Sequence, residues 1–366
     1  MLFLLSLFLV RWNNLIEQEK ITALKYYQEI SELGENQNDI YRRSKCHPDF
    51  PNWMKNIDDQ RNIMDLSIPG THESCARFGY PIAACQSLSL YEQLQRGVRF
   101  FDIRCRHIND VFTIHHGPIY QKINFGGGVV QVFVDFLKQN PSEIIFMLLK
   151  PEYNEESCTR SFEETLDSYI EDYESYFYLD ESAGESGDIT VGKVRCKIVL
   201  FRRFEKNLPK PLGNQIIFQD NTIFTSHTSI VARVQDCYLV PTIFHISRKW
   251  NEIESLLNEA DVNSQKIRSR IVSHSKSRFV QHKYNQPRRE SRNILFINYG
   301  SGTGVLCFPG EVASYINPLL GERLTNNDNN FVGVIMFDYI EDYFDNLIAN
   351  IIIRNFDSIE ELFARN

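Results

Sequence analysis

Short, mostly apolar segments with a polar or charged side chain at or just before their ends constrain this chain more than any other feature. Ile144 to Lys150, Lys197 to Phe204, Ile294 to Tyr299 and Phe331 to Asp338 are of this kind. Strands with so little polar alternation must be covered on both faces, as in a parallel sheet. Helical patterns lie between them. Leu88 to Arg96 sets Leu88, Leu90, Tyr91 and Leu94 on one face; Val129 to Lys138, Glu152 to Tyr176, Trp250 to Ala260 and Asn346 to Arg365 are the other expected helices. The alternation predicts an α/β fold, a mainly parallel sheet closed or nearly closed into a distorted TIM-like (β/α) barrel. With 366 residues, 43% of them hydrophobic, the chain can bury one large core as a single domain.

In such a barrel the chemistry sits at the C-terminal mouth of the strands. The apolar run Ile63, Met64, Leu66, Ile68 is interrupted by Pro69-Gly70 and followed by Thr71-His72-Glu73-Ser74, which reads as a first strand (Ile63 to Ile68) delivering His72 to that mouth. A third strand, Val111 to His116, ends in the same way on His115-His116-Gly117-Pro118. His116 shares a face with Phe112 and Ile114, whereas His115 points the other way and reads as structural. The strand between them, Val98 to Arg106, carries Phe100, Asp102, Arg104 and Arg106 on one face. Charges placed there are costly unless paired or functional.

Other strand ends add Lys150, Arg203, Asp236, Tyr238 and Asp338. Singly these have structural readings: Arg104 paired with Asp102, Lys150 snorkelling, Asp338 capping a helix. Together, two histidines and an arginine at one rim suit phosphoryl transfer without metal. One neutral imidazole takes a proton, the other gives one, and a guanidinium fork neutralises the phosphate oxygens.

The net charge of −8 argues against a nucleic-acid partner and against general attraction to anionic lipid. A polar and basic excursion at about 245–292 includes the run Lys266 to Arg292. It reads either as a solvated insertion or as a local contact for phospholipid head groups. Gly126-Gly127-Gly128 lacks the spacing of a phosphate loop and reads as a flexible loop, and an acidic loop runs to Asp188. Met1 to Val10 is apolar but too short for a membrane span, which needs about 20 residues. Its length matches a signal-peptide core, yet a basic leader and a small-residue cleavage site are missing. A signal segment and a buried or membrane-touching helix both fit. Residues 1–48 are thus set apart, with a polar helical lead-in, from a barrel at 49–366 whose opening stretch, Asp49 to Met54, reads as an entry helix packing an aromatic on the barrel. The eight cysteines form no CxxC; Cys75 and Cys85 fit either a short bridge or two buried thiols.

The motifs Ser67-Ile68-Pro69-Gly70-Thr71-His72-Glu73-Ser74, Gly97 to Arg106, His115-His116-Gly117-Pro118 and Asn140-Pro141-Ser142-Glu143 leading to Lys150 resemble the X domain of bacterial-type phosphatidylinositol-specific phospholipases C. The likeness covers roughly residues 50–345. It implies cleavage of phosphatidylinositol, or of a glycosylphosphatidylinositol anchor, to diacylglycerol and inositol 1,2-cyclic phosphate, with the inositol 2-hydroxyl as nucleophile. By resemblance His72 is the general base, His116 the general acid, Asp338 the support of the base and Arg104 the phosphate contact. Lys150, Arg203, Asp236 and Tyr238 match the inositol-binding set. Arg104 stands where animal relatives place a calcium ligand, so no metal or cofactor is expected. Glu73 departs from the family's aspartate, and its extra methylene shifts the carboxylate by more than about 1 Å, a displacement that can cost about a hundredfold in rate. A monomer in peripheral contact with phosphatidylinositol-bearing membranes is expected, secreted or held at their surface if the apolar N-terminal segment is a signal. The rival reading is a catalytically weak module that binds inositol phosphate or a lipid anchor.

Overall fold

The computed structural model describes residues 50–181, 189–277, 294–326, 331–340, 344–356 and 362, with the backbone alone at 264–277, 326 and 344–346. The N-terminal segment 1–48, most of the acidic loop before Asp188 and the part of the basic run from 278 to 292 lie outside the described residues, as does Cys46.

Twelve strands form one curled sheet: β1 (Ile68–Thr71), β2 (Phe100–Ile108), β3 (Val111–His116), β4 (Ile119–Asn124), β5 (Ile144–Pro151), β6 (Phe177–Tyr178), β7 (Lys197–Arg202), β8 (Asn214–Gln215), β9 (Ile223–His227), β10 (Val231–Gln235), β11 (Ile294–Tyr299) and β12 (Val334–Phe337). Its order is β6-β7-β5-β2-β1-β12-β11-β10-β9. Every neighbouring pair in that order is parallel except β9 with β10. The described helices are α1 (Leu90–Gln95), α2 (Gln131–Gln139), α3 (Phe162–Glu171), α4 (Val191–Val194), α5 (Ile246–Ser277), α6 (Pro309–Asn326) and α7 (Phe344–Ile352). The sheet curls until β8 faces β9, and there side chains take over from the ladder. Ile217 N–H donates to Ser226 Oγ (2.9 Å), Ser229 Oγ to Asn214 Oδ1 (2.8 Å) and Thr228 Oγ1 to the Gln215 carbonyl (2.5 Å).

Several expected elements move. Ile63–Asp65 is a 3-10 turn capped by the Asn62 side chain, and the first strand contains Pro69-Gly70 instead of stopping there. Pro69 costs little because β2 pairs with β1 only from Gly70 onward. Gly70 is required by packing, since a Cβ would sit 2.5 Å from Met336 Sδ. The three glycines at 126–128 begin the helical turn Gly126–Val130, where missing side chains make room for Tyr169 and Ile123. Of the long helix expected over 152–176, only Phe162–Glu171 forms, started by a Ser161/Glu164 capping box. Helix α5 runs well past Ala260, as far as Ser277, and the closing helix ends at Ile352.

Beneath the site the barrel is aromatic. Phe100, Phe146 and Phe201, from β2, β5 and β7, are fully buried and stack with centroids 5.9 to 6.4 Å apart. At the opposite, N-terminal end lies a buried ion pair. Arg99 donates through Nε (2.9 Å) and Nη2 (2.8 Å) to Glu143 Oε2, and through Nη1 to the carbonyls of Leu94 and Val98. Removing one partner strands a buried charge. Glu143→Ala is therefore expected to destabilise the fold by about 3–5 kcal/mol, measured by urea or thermal unfolding. A loss below 1 kcal/mol, roughly the value of an exposed pair, would contradict this.

Candidate active site

Register alone brings the rim residues onto one face. Directly paired residues in parallel strands point the same way, and side chains repeat every second residue. Gly70 pairs with both Phe100 and Met336, and Met336 with Tyr299. Phe100 pairs with Phe146, Leu148 with Phe201, and Val234 with Ile297. Counting two or four residues on from this apolar layer gives His72, Asp102, Arg104, Lys150, Arg203, Asp236 and Asp338, with Tyr299 level with Met336. Phenyl rings form the floor and charges the rim.

His116 arrives differently. It does not end a barrel strand like His72, because β3 runs antiparallel to β2. Strand β2 overshoots the rim, turns at Asn109-Asp110, and β3 returns, so that His116 re-enters beside β2. A register shift between Thr113 and His115 breaks the simple alternation. His115 is buried against Tyr120 (ring centroids 5.4 Å), in keeping with a structural role.

The loop after β1 is tightly held. Ser74 N–H donates to the Asp102 carbonyl (3.0 Å), Asp102 N–H donates to Ser74 Oγ (2.9 Å), and Gln93 Nε2 donates to the Ser74 carbonyl (2.8 Å). Gln86 Nε2 donates to the carbonyls of both His72 and Phe337, each at 2.8 Å. Glu73 takes a left-handed backbone (φ 42°), which turns its side chain back toward Arg104.

Arg104 is the hub. Its Nε and Nη2 donate to Asp102 Oδ2 (3.2 and 3.0 Å), and Nη1 stands 2.5 Å from Glu73 Oε1 and 3.9 Å from Glu152 Oε2. Nη2 also lies 3.0 Å from His72 Nε2. As the guanidinium can only donate, Nε2 is the accepting nitrogen and the proton is on Nδ1, which donates to Asp338 Oδ1 (2.9 Å). On the other side, His116 Nδ1–H donates to the Ala83 carbonyl (2.7 Å), leaving Nε2 3.8 Å from Glu73 Oε1. Two imidazoles thus flank one guanidinium, each with its outer nitrogen fixed.

Burial, reinforced by Arg104, holds the His72 imidazole well below its usual pKa, and burial pushes Asp338 well above the carboxylate range. Both shifts accord with a neutral His72 imidazole whose Nδ1–H faces Asp338. Glu73 is raised by burial, against the pull of Arg104 and His116. Burial also works to raise Asp102, but Arg104 and Arg203 outweigh it, so this carboxylate stays ionised.

The remaining expected residues stand around this centre. Lys150 Nζ donates to Glu152 Oε2 (2.7 Å), so it is paired and not merely snorkelling. Arg203 stacks its guanidinium on Phe218, 3.5 Å from the ring centroid. Asp236 is raised by burial and faces Arg203 and Lys249. Tyr238 donates to Asp220 Oδ1 (2.8 Å). Sequence reasoning missed four participants. Glu152 joins Lys150 to the turn after His116 by accepting Gly117 N–H (2.9 Å). Tyr299 sets its ring edge-on to His72 at 5.9 Å. Gln86 ties the strand ends, and the buried Lys249, lowered to about 8 by burial, donates to Gln235 Oε1 (3.1 Å). Glu152 and Tyr299 follow the same strand-exit signal that marked Lys150; Gln86 and Lys249 carry none.

A curled, mainly parallel sheet with two histidines and an arginine converging on its C-terminal rim defines a barrel with the side chains for acid–base chemistry on a phosphodiester. Residues 71–204 match the family model for the phosphatidylinositol-specific phospholipase C X domain. The 1-phosphatidylinositol phosphodiesterase of Listeria monocytogenes is 30% identical over 314 residues, spanning 83% of this chain and 84% of that protein. Its Staphylococcus aureus namesake is 27% identical over 328 residues, spanning 83% and 94%. Among solved structures, a double mutant of the S. aureus phosphatidylinositol-specific phospholipase C superposes with TM-score 0.69 at 25% identity, covering 84% of this chain and 97% of that one. The L. monocytogenes enzyme gives 0.64 at 27%, covering 84% and 99%. This chain belongs to the phosphatidylinositol-specific phospholipase C X-domain family.

Proposed function

We propose that this chain cleaves phosphatidylinositol by a metal-independent phospholipase C reaction. One observation carries the reading: the Arg104 guanidinium lies between His72 Nε2 and the Glu73–His116 pair. A phosphodiester oxygen competes for the Nη1 and Nη2 hydrogens and draws the guanidinium off the base nitrogen. His72 Nε2 then takes the proton of the inositol 2-hydroxyl, whose oxygen attacks phosphorus. As the bond from phosphorus to the glycerol oxygen breaks, protonated His116 delivers its Nε2 proton to that oxygen. Diacylglycerol leaves, and inositol 1,2-cyclic phosphate remains. Asp338 steadies the imidazolium formed on His72, and Arg104 balances the charge on the non-bridging oxygens. Lys150, Arg203 and Asp236 bind the ring hydroxyls, and the Tyr238 ring lies against the sugar.

The membrane is the site of action, reached as a peripheral, exported monomer. Tyr80, Ile82, Leu239, Phe244, Val305 and Leu306 are exposed apolar side chains on loops that follow β1, β10 and β11, the same end as the site. Such a concentration suits contact with lipid. The deciding experiment is incubation with phosphatidylinositol vesicles in EDTA, with cyclic inositol phosphate followed by phosphorus NMR. Product formation unaffected by chelator is expected. Binding without product would favour the inositol-phosphate module, and strict dependence on added metal would overturn the mechanism.

The depressed pKa of His72 sets the pH dependence. A base must be neutral, and a lowered pKa keeps it neutral to more acid solution. The acid limb of kcat/KM is therefore expected below the ordinary histidine value of about 6.5, read from a pH–rate profile. A limb above that value would contradict the assignment.

A further inference from the structure

Behind the His72–Asp338 pair lies a thiol that the reaction does not use. Cys85 is fully buried, and its Sγ lies 3.9 Å from His116 Nδ1 and 3.8 Å from the Ala83 carbonyl, both long for a hydrogen bond. Ligand atoms of His72, Cys85 and Asp338 all fall within 4.8 Å of one another. Asp338 is 1% exposed, and its Oδ2 has no hydrogen-bond partner among the described residues. An orphaned buried carboxylate oxygen facing such a cluster lacks a positive or donating partner.

The three side chains are held by one knot of backbone. His72 N–H donates to the Phe337 carbonyl (2.9 Å), and Tyr339 N–H donates to the Cys85 carbonyl (2.9 Å). Gln86, next to Cys85, clasps the carbonyls of His72 and Phe337. Ligands fixed in this way lose little freedom when they close on an ion.

We propose that His72 Nδ1, Cys85 Sγ and Asp338 form an inhibitory site for a thiophilic divalent cation of the Zn2+ type. The mixed nitrogen, sulfur and oxygen set suits a borderline-soft tetrahedral ion, with solvent as fourth ligand. Binding breaks the Cys85 S–H bond, shifts the His72 proton between its ring nitrogens, and forms three protein–metal bonds, from Nδ1, Sγ and an Asp338 oxygen. The Cys85 proton leaves to solvent, and the His72 proton moves from Nδ1 to Nε2, so the Arg104 guanidinium, which donates to Nε2 in the metal-free chain, must turn away. Thiolate and carboxylate together neutralise the ion. The base thereby loses the lone pair that would accept the substrate proton, so an occupied site is silent. The inhibitory consequence rests on His72 being the base; the binding does not.

The test uses the full chain, its Cys85→Ser and Cys85→Ala variants, buffered free Zn2+, and Co2+ as a spectroscopic probe without substrate. Zn2+ is expected to stop phosphatidylinositol turnover reversibly, with EDTA restoring it. Both variants should keep their metal-free turnover and need more than about tenfold higher Zn2+ for the same inhibition. Co2+ should give a thiolate-to-metal charge-transfer band that both variants lose and Cys158→Ser keeps, since Cys158 lies in a separate His107–Asp110 cluster. Should one Cys85 variant misfold, the other carries the comparison. Inhibition equal in wild type and variants, no inhibition, or a band that survives the loss of Cys85 each overturn the site. A band lost with Cys85 in a chain that turns over no lipid would keep the site and reject the catalytic reading.

Discussion

Replacing His72 or His116 by alanine is expected to lower turnover by a factor of roughly 10^2 to 10^4, the range of general acid or base catalysis, while leaving the fold intact. Each ring is fixed by a partner that survives its removal. The strand position of residue 72 depends on its backbone bonds to Phe337 and Gln86, not on the imidazole. His116 ends a strand secured by its ladder to β2 and by Glu152 on the following amide. The two losses should not add. With the base gone, the acid has little developing charge to meet, so the double variant should be scarcely slower than either single one. Phosphorus NMR of cyclic inositol phosphate, with circular dichroism to check folding, measures both statements. Wild-type rates in either variant would refute the proton-transfer roles.

Arg104→Lys is the second large effect. The guanidinium simultaneously reaches Asp102 Oδ2, Glu73 Oε1 and His72 Nε2, with Nη1 turned to Glu73 and Nη2 shared between Asp102 and His72. An ammonium on a flexible stem keeps the charge but cannot span these three directions or clasp two phosphate oxygens. Turnover is expected to fall by about 10^2 to 10^3, the usual cost of losing one preorganised donor at the reacting charge, with stability nearly kept because Asp102 retains a cation. Arg104→Ala should fall further and also destabilise the protein by about 3–5 kcal/mol, as the buried Asp102 carboxylate loses its hydrogen-bonded counter-charge. Comparing kcat and urea midpoints across the two variants separates these effects. A lysine variant of normal rate would show that Arg104 serves only as a structural partner for Asp102.

The contributors of charge to the rim were legible because a strand repeats every second residue and a charge ending an apolar run has few reasons to be there. His72, Arg104, Lys150, Arg203 and Asp338 were each marked by that signal. Depth was less legible than direction. Pro69-Gly70 reads as a stop, yet the strand begins at Ile68 and passes through both residues, since only the neighbouring strand reveals that a missing N–H goes unneeded there. The route by which His116 reaches the rim differs from the expected one. Its return on an antiparallel strand depends on how far β2 overshoots the rim, which local pattern does not encode. Glu73 shows the same limit. Its chemistry was readable, but only the left-handed backbone explains how the longer side chain folds back to reach Arg104. Gln86 and Lys249 act through tertiary bonds across the chain and left no trace in spacing or composition.

A hoop cut at one point is stiff everywhere except beside the cut. In this cylinder the cut runs between β8 and β9, bridged by the Ser226, Thr228 and Ser229 hydroxyls instead of a ladder. Each such bond contributes only about 1 kcal/mol net. The wall bearing Phe218 and Tyr238 can therefore yield outward at small cost. The opposite wall, which carries His72, Arg104 and Asp338 on ladders unbroken from β12 through β1 to β2, cannot. Recognition is left compliant and chemistry rigid by the same seam.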